Sequence, residues 1–318
     1  MNYLKLMRLP NLIIIALTMY VMRYCIIRPI LAINDMKLQL SDLNFLILVL
    51  SVCCMSAAGY VINDYFDTKA DRLNSKKVIV GSSVTRRKAM ALHTVLNFCS
   101  ILLGGYISWY IGYWQFVFIY IMASGILWFY STSYKYHFLL GSVLVSLLTA
   151  TIPFMVVVFE IPMLNKAYAE VLLASKTNFN YLLYWVGAFS FFAFVGMLIG
   201  QFLRDMGALP GDREINRRSL PLVLGWNAAK FVIVSLSVLL CGALGIIWYR
   251  YLNAPFDSIT PWYFGGLIIF PLLLMSYYVS RYNESPKIKG CVSLLRWVML
   301  AGISYSFVVY YIMTSKLG

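Results

Sequence analysis

The chain has 318 residues, 61% of them hydrophobic and 16% aromatic, with a mean hydropathy of +0.78. A soluble domain of this length cannot cover so much apolar surface, so the bilayer is its solvent and a water-soluble enzyme is excluded. The net charge of +14 is accounted for by membrane topology and an anion site, without a nucleic-acid partner.

Nine apolar segments run in order near 9–27, 43–62, 90–110, 113–130, 138–159, 181–203, 231–249, 262–280 and 296–313. Most approach the roughly 20 residues that span a bilayer core. Backbone groups in lipid must be satisfied internally, and the alternating period of a membrane barrel is missing. The expected fold is all-α: a polytopic membrane protein of about nine transmembrane helices, as one domain over residues 1–318. The first segment has the basic-then-apolar start of a signal peptide. It lacks a small-residue cleavage site and runs into Arg23, so it reads as a retained span with Arg23 snorkelling at its outer end. With the amino terminus inside, 19 of the 26 Lys and Arg residues fall on the inner side and 7 on the outer. That asymmetry predicts a cytoplasmic start.

The second segment ends in Asn63-Asp-Tyr-Phe-Asp-Thr-Lys-Ala-Asp71, which holds three of only 12 acidic residues. Carboxylates at a membrane surface are costly beside lipid and mark a pathway or a binding site. On a helix Asn63, Asp67 and Asp71 share one face, with Asp64 beside that stripe. Oxygen ligands of this kind suit Mg²⁺, which is commonly held by one or two carboxylates together with substrate phosphates. A metal there takes up charge as a diphosphate leaves. The bland reading is a solvated, charge-balanced loop.

His93 and His137 read as packed or interfacial residues rather than bases. The outer stretch 160–180 is polar and carries no assigned chemistry. After the sixth segment Asp205 and Asp212 form a second acidic group on the same predicted side, and Pro210-Gly211 should break any helix between them. The inner loops 63–89 and 204–230 share a plan, acidic and then basic before a helix, which suggests two halves facing one cavity. Around the two groups Arg72, Lys76, Lys77, Lys135, Arg204 and Arg213 are candidates for the outer phosphate oxygens. The cysteines at 25, 53, 54, 99, 241 and 291 show no metal-ligand spacing, and adjacent Cys53 and Cys54 read as packing residues.

Asn63-Asp64-x-x-Asp67-x-x-x-Asp71 resembles the first aspartate-rich motif of the UbiA superfamily of intramembrane prenyltransferases. Asn74…Gly81 with Val84-Thr85-Arg86-Arg87-Lys88-Ala89 is similar to the segment directly after that motif in the family. Tyr130-Ser131-x-x-x-Lys135 resembles the family's mid-chain element, Asp205…Gly211-Asp212…Leu220-Pro221…Gly225 its second motif, and Arg8-Leu-Pro-Asn11 its amino-terminal element. The resemblance implies a bundle around a lipid-accessible chamber, capped by the aspartate loops on the cytoplasmic side of a bacterial or archaeal cell membrane. It implies catalytic roles for Asp64, Asp67, Asp71, Asp205, Asp212 and Lys135, and Mg²⁺ held by Asn63, Asp67, Asp71, Asp205 and Asp212. Asn11 would stand with the basic residues on the prenyl diphosphate side. Two positions depart from the pattern: Ala208 where the second motif usually has Asp, and Gly141-Ser142 where Gly-Asn is usual.

The implied reaction is Mg²⁺-dependent transfer of a polyprenyl group from its diphosphate to a membrane-associated acceptor, which is lipid-soluble or amphiphilic. The overall character of the chain resembles the geranylgeranylglyceryl phosphate branch more than the aromatic-acceptor branch of quinone biosynthesis. From another class, a transporter, or a relative inactivated at Ala208 that binds lipid or cation, remains an alternative. Chain length of the prenyl group and oligomeric state are not written in the sequence.

Overall fold

The computed structural model describes residues 2–73, 78–252, 257–282 and 288–315. Their helices are α1 (Asn2–Leu6), α2 (Leu9–Ala32), α3 (Asp42–Phe66), α4 (Thr68–Leu73), α5 (Arg86–Tyr110), α6 (Trp114–Thr132) and α7 (Leu140–Ala167). Then come α8 (Ala169–Ser175), α9 (Asn180–Gly207), α10 (Leu209–Glu214), α11 (Leu220–Leu224), α12 (Trp226–Leu252), α13 (Ile259–Arg281) and α14 (Ile288–Thr314). Among the described residues nine helices are long and apolar enough to cross a membrane, one for each expected segment.

Caps and prolines set the local shape. Ser41 and Thr85 stand in extended conformation at the starts of α3 and α5 and accept from the Asn44 and Lys88 N–H groups, satisfying donors that the first helical turn leaves open. In α2 and α13 a wide π turn, Met22–Ile27 and Phe264–Ile269, ends just before Pro29 and Pro271. A proline ring clashes with the carbonyl four residues back, and a wider turn relieves that contact without ending the helix.

The chain forms two compact units, one of Met1–Lys135 and Thr151–Gly187, the other of Tyr136–Ala150 and Ala188–Gly318. In the first, α3 is central and packs most extensively on α5 and then on α6. Small residues allow this: a Cβ at Gly59 would press on Leu127, and one at Gly104 would enter the Tyr120 ring. Polar pairs add direction, with the Tyr120 hydroxyl 2.8 Å from Ser51 Oγ and Ser100 Oγ donating to the Ser51 carbonyl. His93 is buried with Nδ1 3.0 Å from the Ala58 carbonyl, a packed residue as expected. Leu6 of α1 joins Val61, Val80, Val84 and Ala89 in a small apolar cluster, which fastens the amino terminus to the ends of α3 and α5.

Two expectations for this unit need correction. Arg23 does not snorkel: it is 1% exposed and pairs with the fully buried Glu160 at 3.0 Å. It also donates to the Leu40 carbonyl and reaches Asp42, while its guanidinium lies 4.5 Å from the Phe45 ring centre. Glu160 is not in a polar loop, because α7 continues through it to Ala167 and α8 follows. Its Oε1 accepts from the Gln39 and Leu40 N–H groups. The hydropathy pattern hides this residue because its charge is cancelled by a partner 137 positions away.

In the second unit α12, α13 and α14 pack together. A Cβ at Gly196 would meet Met299 and one at Gly302 would meet Phe192, so α9 and α14 lie backbone-close. Tyr305 packs on Phe264 and shares a hydrogen bond with Thr260 at 2.9 Å. The cysteines are free thiols.

Candidate active site

The first acidic group forms where α3 runs out. Asp67 closes α3 with φ −85° and ψ 4°, its N–H bonded to the Asn63 carbonyl, and the Asp71 N–H bonds to the Asp67 carbonyl at 2.8 Å. The i to i+4 ladder therefore passes through the junction with α4 and keeps Asn63, Asp67 and Asp71 on one side, as the spacing predicts. Asn63 Nδ2 donates to Asp67 Oδ2 at 2.8 Å, and Lys135 Nζ donates to Asp67 Oδ1 at 2.6 Å. Lys135 comes from the short turn Tyr134–Tyr136 after α6 and is 4% exposed against 21% for the Asp67 side chain. The mid-chain element and the first motif are thus one charge pair.

Asp64 is held separately. Arg8 donates to its Oδ1 at 2.7 Å and lies 5.0 Å from the Tyr60 ring centre. Arg8 adopts φ 54° and ψ 54° ahead of α2, a left-handed backbone that costs a residue with a Cβ about 1 kcal/mol or more. The ion pair and the ring contact hold it there. Asn63 Oδ1 is buried and accepts no hydrogen bond. Such an orphaned oxygen is uncommon inside a protein, and beside a carboxylate it suits a hard cation.

The second acidic group lies in the other unit. The helix breaks between its two aspartates, as expected, though not at Pro210-Gly211 itself. The break comes earlier, at Ala208 with φ −110° and ψ 9°, and Pro210 sits in the first turn of α10. The first turn has no use for the N–H that proline lacks, so the helix starts there instead of ending. Asp205 and Asp212 are 3% and 2% exposed, and Arg217 bridges them at 3.0 and 3.5 Å. The Arg217 N–H also bonds to the Asp212 carbonyl. Arg217 is a site residue that enters the sequence analysis only through its charge. Arg217 and Arg218 look alike in the chain, and only folding decides which one turns inward.

The remaining candidates are spread out. Asn11 is exposed on α2, and Arg204 and Arg213 are exposed at the ends of α9 and α10. Arg204 donates toward Met197 Sδ at 3.3 Å. Arg72 lines a cavity of about 400 Å³ with Lys69 and Arg86, and none of the four motif residues Asn63, Asp64, Asp67 and Asp71 lines it. Lys76 and Lys77 lie outside the described residues. Among the described residues no three His, Cys, Asp or Glu side chains gather as a ready metal cage.

A family model described as the UbiA prenyltransferase family matches residues 35–308. Among curated relatives, the digeranylgeranylglyceryl phosphate synthase of Methanosphaera stadtmanae is 25% identical over 65% of this chain and 68% of its own length. That of Thermococcus kodakarensis is 26% identical over 61% of each chain. Solved structures share the fold. A UbiA homolog from Aeropyrum pernix K1 matches with a TM-score of 0.64 at 14% identity, covering 92% of this chain and 97% of that one. A UbiA homolog from Archaeoglobus fulgidus bound to DMAPP and Mg²⁺ matches with a TM-score of 0.57 at 17% identity, covering 98% and 100%. The family match runs through both acidic groups and the Lys135 turn, and with nine apolar helices among its described residues the chain is an integral membrane protein of the UbiA prenyltransferase family.

Proposed function

We propose that the protein transfers a prenyl group from a prenyl diphosphate to the hydroxyl of a glyceryl phosphate lipid, with geranylgeranylglyceryl phosphate as the acceptor. The reading is carried by the junction of Asn63, Asp67 and Lys135, in a family of prenyltransferases whose curated relatives are named digeranylgeranylglyceryl phosphate synthases. The cofactor is Mg²⁺. The donor set fits it: carboxylate and amide oxygens, with Asn63 Oδ1 buried and accepting nothing from the protein. When bound, the ion supplies positive charge to the departing diphosphate.

The residues of the chain do the rest. Asn63, Asp67 and Asp71 are proposed as metal ligands, and Asp205 and Asp212 as well. The Asn63 amide turns its nitrogen to Asp67 and leaves its oxygen for the metal. Lys135 balances the charge of Asp67, and beside a carboxylate that would hold the metal its ammonium would be placed to bind a diphosphate oxygen. Arg8 fixes Asp64 and so the final turn of α3. Arg204, Arg213 and Asn11 are proposed on the diphosphate side, together with Lys76 and Lys77.

In the reaction the allylic carbon–oxygen bond breaks and the electron pair leaves with the diphosphate. The acceptor hydroxyl then bonds to the allylic carbon and loses its proton to a carboxylate or to the diphosphate. Aromatic side chains lining the spans favour a cation and exclude water. Charge asymmetry supports a cytoplasmic amino terminus and cytoplasmic aspartate loops.

The test is transfer by purified protein from labelled geranylgeranyl diphosphate, with Mg²⁺ or chelator, to a panel of acceptors. Geranylgeranylglyceryl phosphate, dihydroxynaphthoate and 4-hydroxybenzoate form the panel. Mg²⁺-dependent transfer to the first supports the proposal, and transfer only to an aromatic ring replaces its acceptor. Failure to bind the diphosphate at all would sink the enzyme reading in favour of a transporter or an inactive binder.

A further inference from the structure

Arg86 lines two adjoining open grooves. On one side, about 400 Å³ is lined by Thr68, Lys69, Arg72 and Arg86 together with the apolar Leu73, Val80 and Gly81. On the other, about 550 Å³ runs past Arg87 and then Tyr65, Met90, Ala91, Thr94 and Val95 along the first turns of α5. Arg86 donates to Thr68 Oγ1 at 3.1 Å and lies 5.1 Å from the Tyr65 ring centre, so it is positioned at the junction. Among the described residues no carboxylate pairs with Lys69, Arg72 or Arg86. Ala91, Thr94 and Val95 are exposed, which in a membrane-spanning helix means facing lipid or a chain lying against it.

The backbone separates this site from the acidic one. At 3.6 residues per turn Asp67 and Asp71 lie about 40° apart, while Lys69 stands about 200° from Asp67. Lys69 thus points away from both carboxylates, while Arg72 stands about 140° from Asp67 and about 100° from Asp71. Three cations and a hydroxyl match a phosphate dianion, and an apolar track leading from them matches a hydrocarbon chain.

We propose that this site docks a lipid phosphomonoester drawn from the bilayer, its phosphate on Lys69, Arg72 and Arg86 and its chain along α5. Under the function proposed above, on which this step rests, that lipid is the acceptor. Holding its phosphate on these three cations keeps it from the diphosphate proposed at the carboxylates, so that two anions need not share one electrostatic site.

The experiment uses the full chain in neutral phosphatidylcholine nanodiscs. Initial rates are measured with both substrates varied, and retention of geranylgeranylglyceryl phosphate is read by native mass spectrometry. In the Lys69→Gln, Arg86→Gln double variant the KM for the acceptor should rise about tenfold or more, the scale of one charge-assisted hydrogen bond. The KM for the prenyl diphosphate should stay within about twofold, since uniform binding of only one substrate is lost. Ala91→Trp blocks the track without touching charge and should raise the same KM. Arg86→Lys should keep most of the retention, and an unchanged thermal unfolding profile shows that the variants fold. A rise in the KM for the diphosphate in place of the acceptor overturns the proposal. So does equal lipid retention by the wild type and all variants. If no glyceryl phosphate lipid is turned over, the acceptor reading fails by itself; retention that is lost in the variants still upholds the site.

Discussion

Lys135 Nζ lies 2.6 Å from Asp67 Oδ1, with the lysine nearly buried and the aspartate about one-fifth exposed. One positive charge therefore already sits on the carboxylate proposed as a metal ligand. Removing either partner strands the other at the membrane surface, where burial makes an uncompensated charge expensive. The pair is thus a local stability element as well as the centre of the proposed site.

Lys135→Met should lower the melting temperature in the absence of divalent cation, by a loss of about 2–4 kcal/mol for a partly buried pair. Mg²⁺ should restore more stability to this variant than to the wild type, because the ion replaces the missing charge. Thermal unfolding with and without Mg²⁺ checks it; equal shifts in both proteins would remove Asp67 from the metal site.

Asn63→Leu removes the unsatisfied Oδ1 and the donor to Asp67 Oδ2. The expected result is a rise of about tenfold or more in the Mg²⁺ concentration for half-maximal transfer, on the scale of one lost ligand or its orienting bond. Asp67→Asn should abolish transfer. A Mg²⁺ titration of initial rates reads both, and unchanged rates in Asp67→Asn would take that residue out of the mechanism.

Arg217→Met leaves Asp205 and Asp212 buried without the cation that bridges them. Loss of about 3–5 kcal/mol is expected, measured as a fall in melting temperature that Arg217→Lys only partly repairs, because a single ammonium lacks the fork. A variant as stable as the wild type would show that these carboxylates do not rely on Arg217.

Ala208→Asp restores the carboxylate that the family pattern has at this position. If Asp205 and Asp212 already bind the metal, turnover should change by less than about threefold; a gain of about tenfold or more would identify a site weakened at Ala208. Rates at saturating Mg²⁺ and diphosphate distinguish the two.

Glu160→Leu breaks the pair with Arg23 and should destabilise the protein by about 3–5 kcal/mol. The double variant Arg23→Met, Glu160→Leu should be less destabilised than either single change, since no lone charge is then buried. Chemical unfolding of the four proteins closes the cycle, and simple additivity would contradict the direct pairing.

The sequence by itself determined the solvent, the number of spans and the first motif. Hydropathy is local and additive, so the nine segments were legible without knowing any contact, and each observed span overlaps one of them. The i, i+4, i+8 spacing of Asn63, Asp67 and Asp71 was equally legible, because helix geometry alone places them on one side. Folding decided what spacing cannot express. Arg8 reaches Asp64 across 56 positions, Lys135 reaches Asp67 across 68, and Arg23 reaches Glu160 across 137. The inward turn of Arg217, rather than its neighbour Arg218, was likewise an outcome of packing. A charge in a chain has no address until its partner arrives, because the cost of burying it depends on the other charge and not on its own neighbours in sequence.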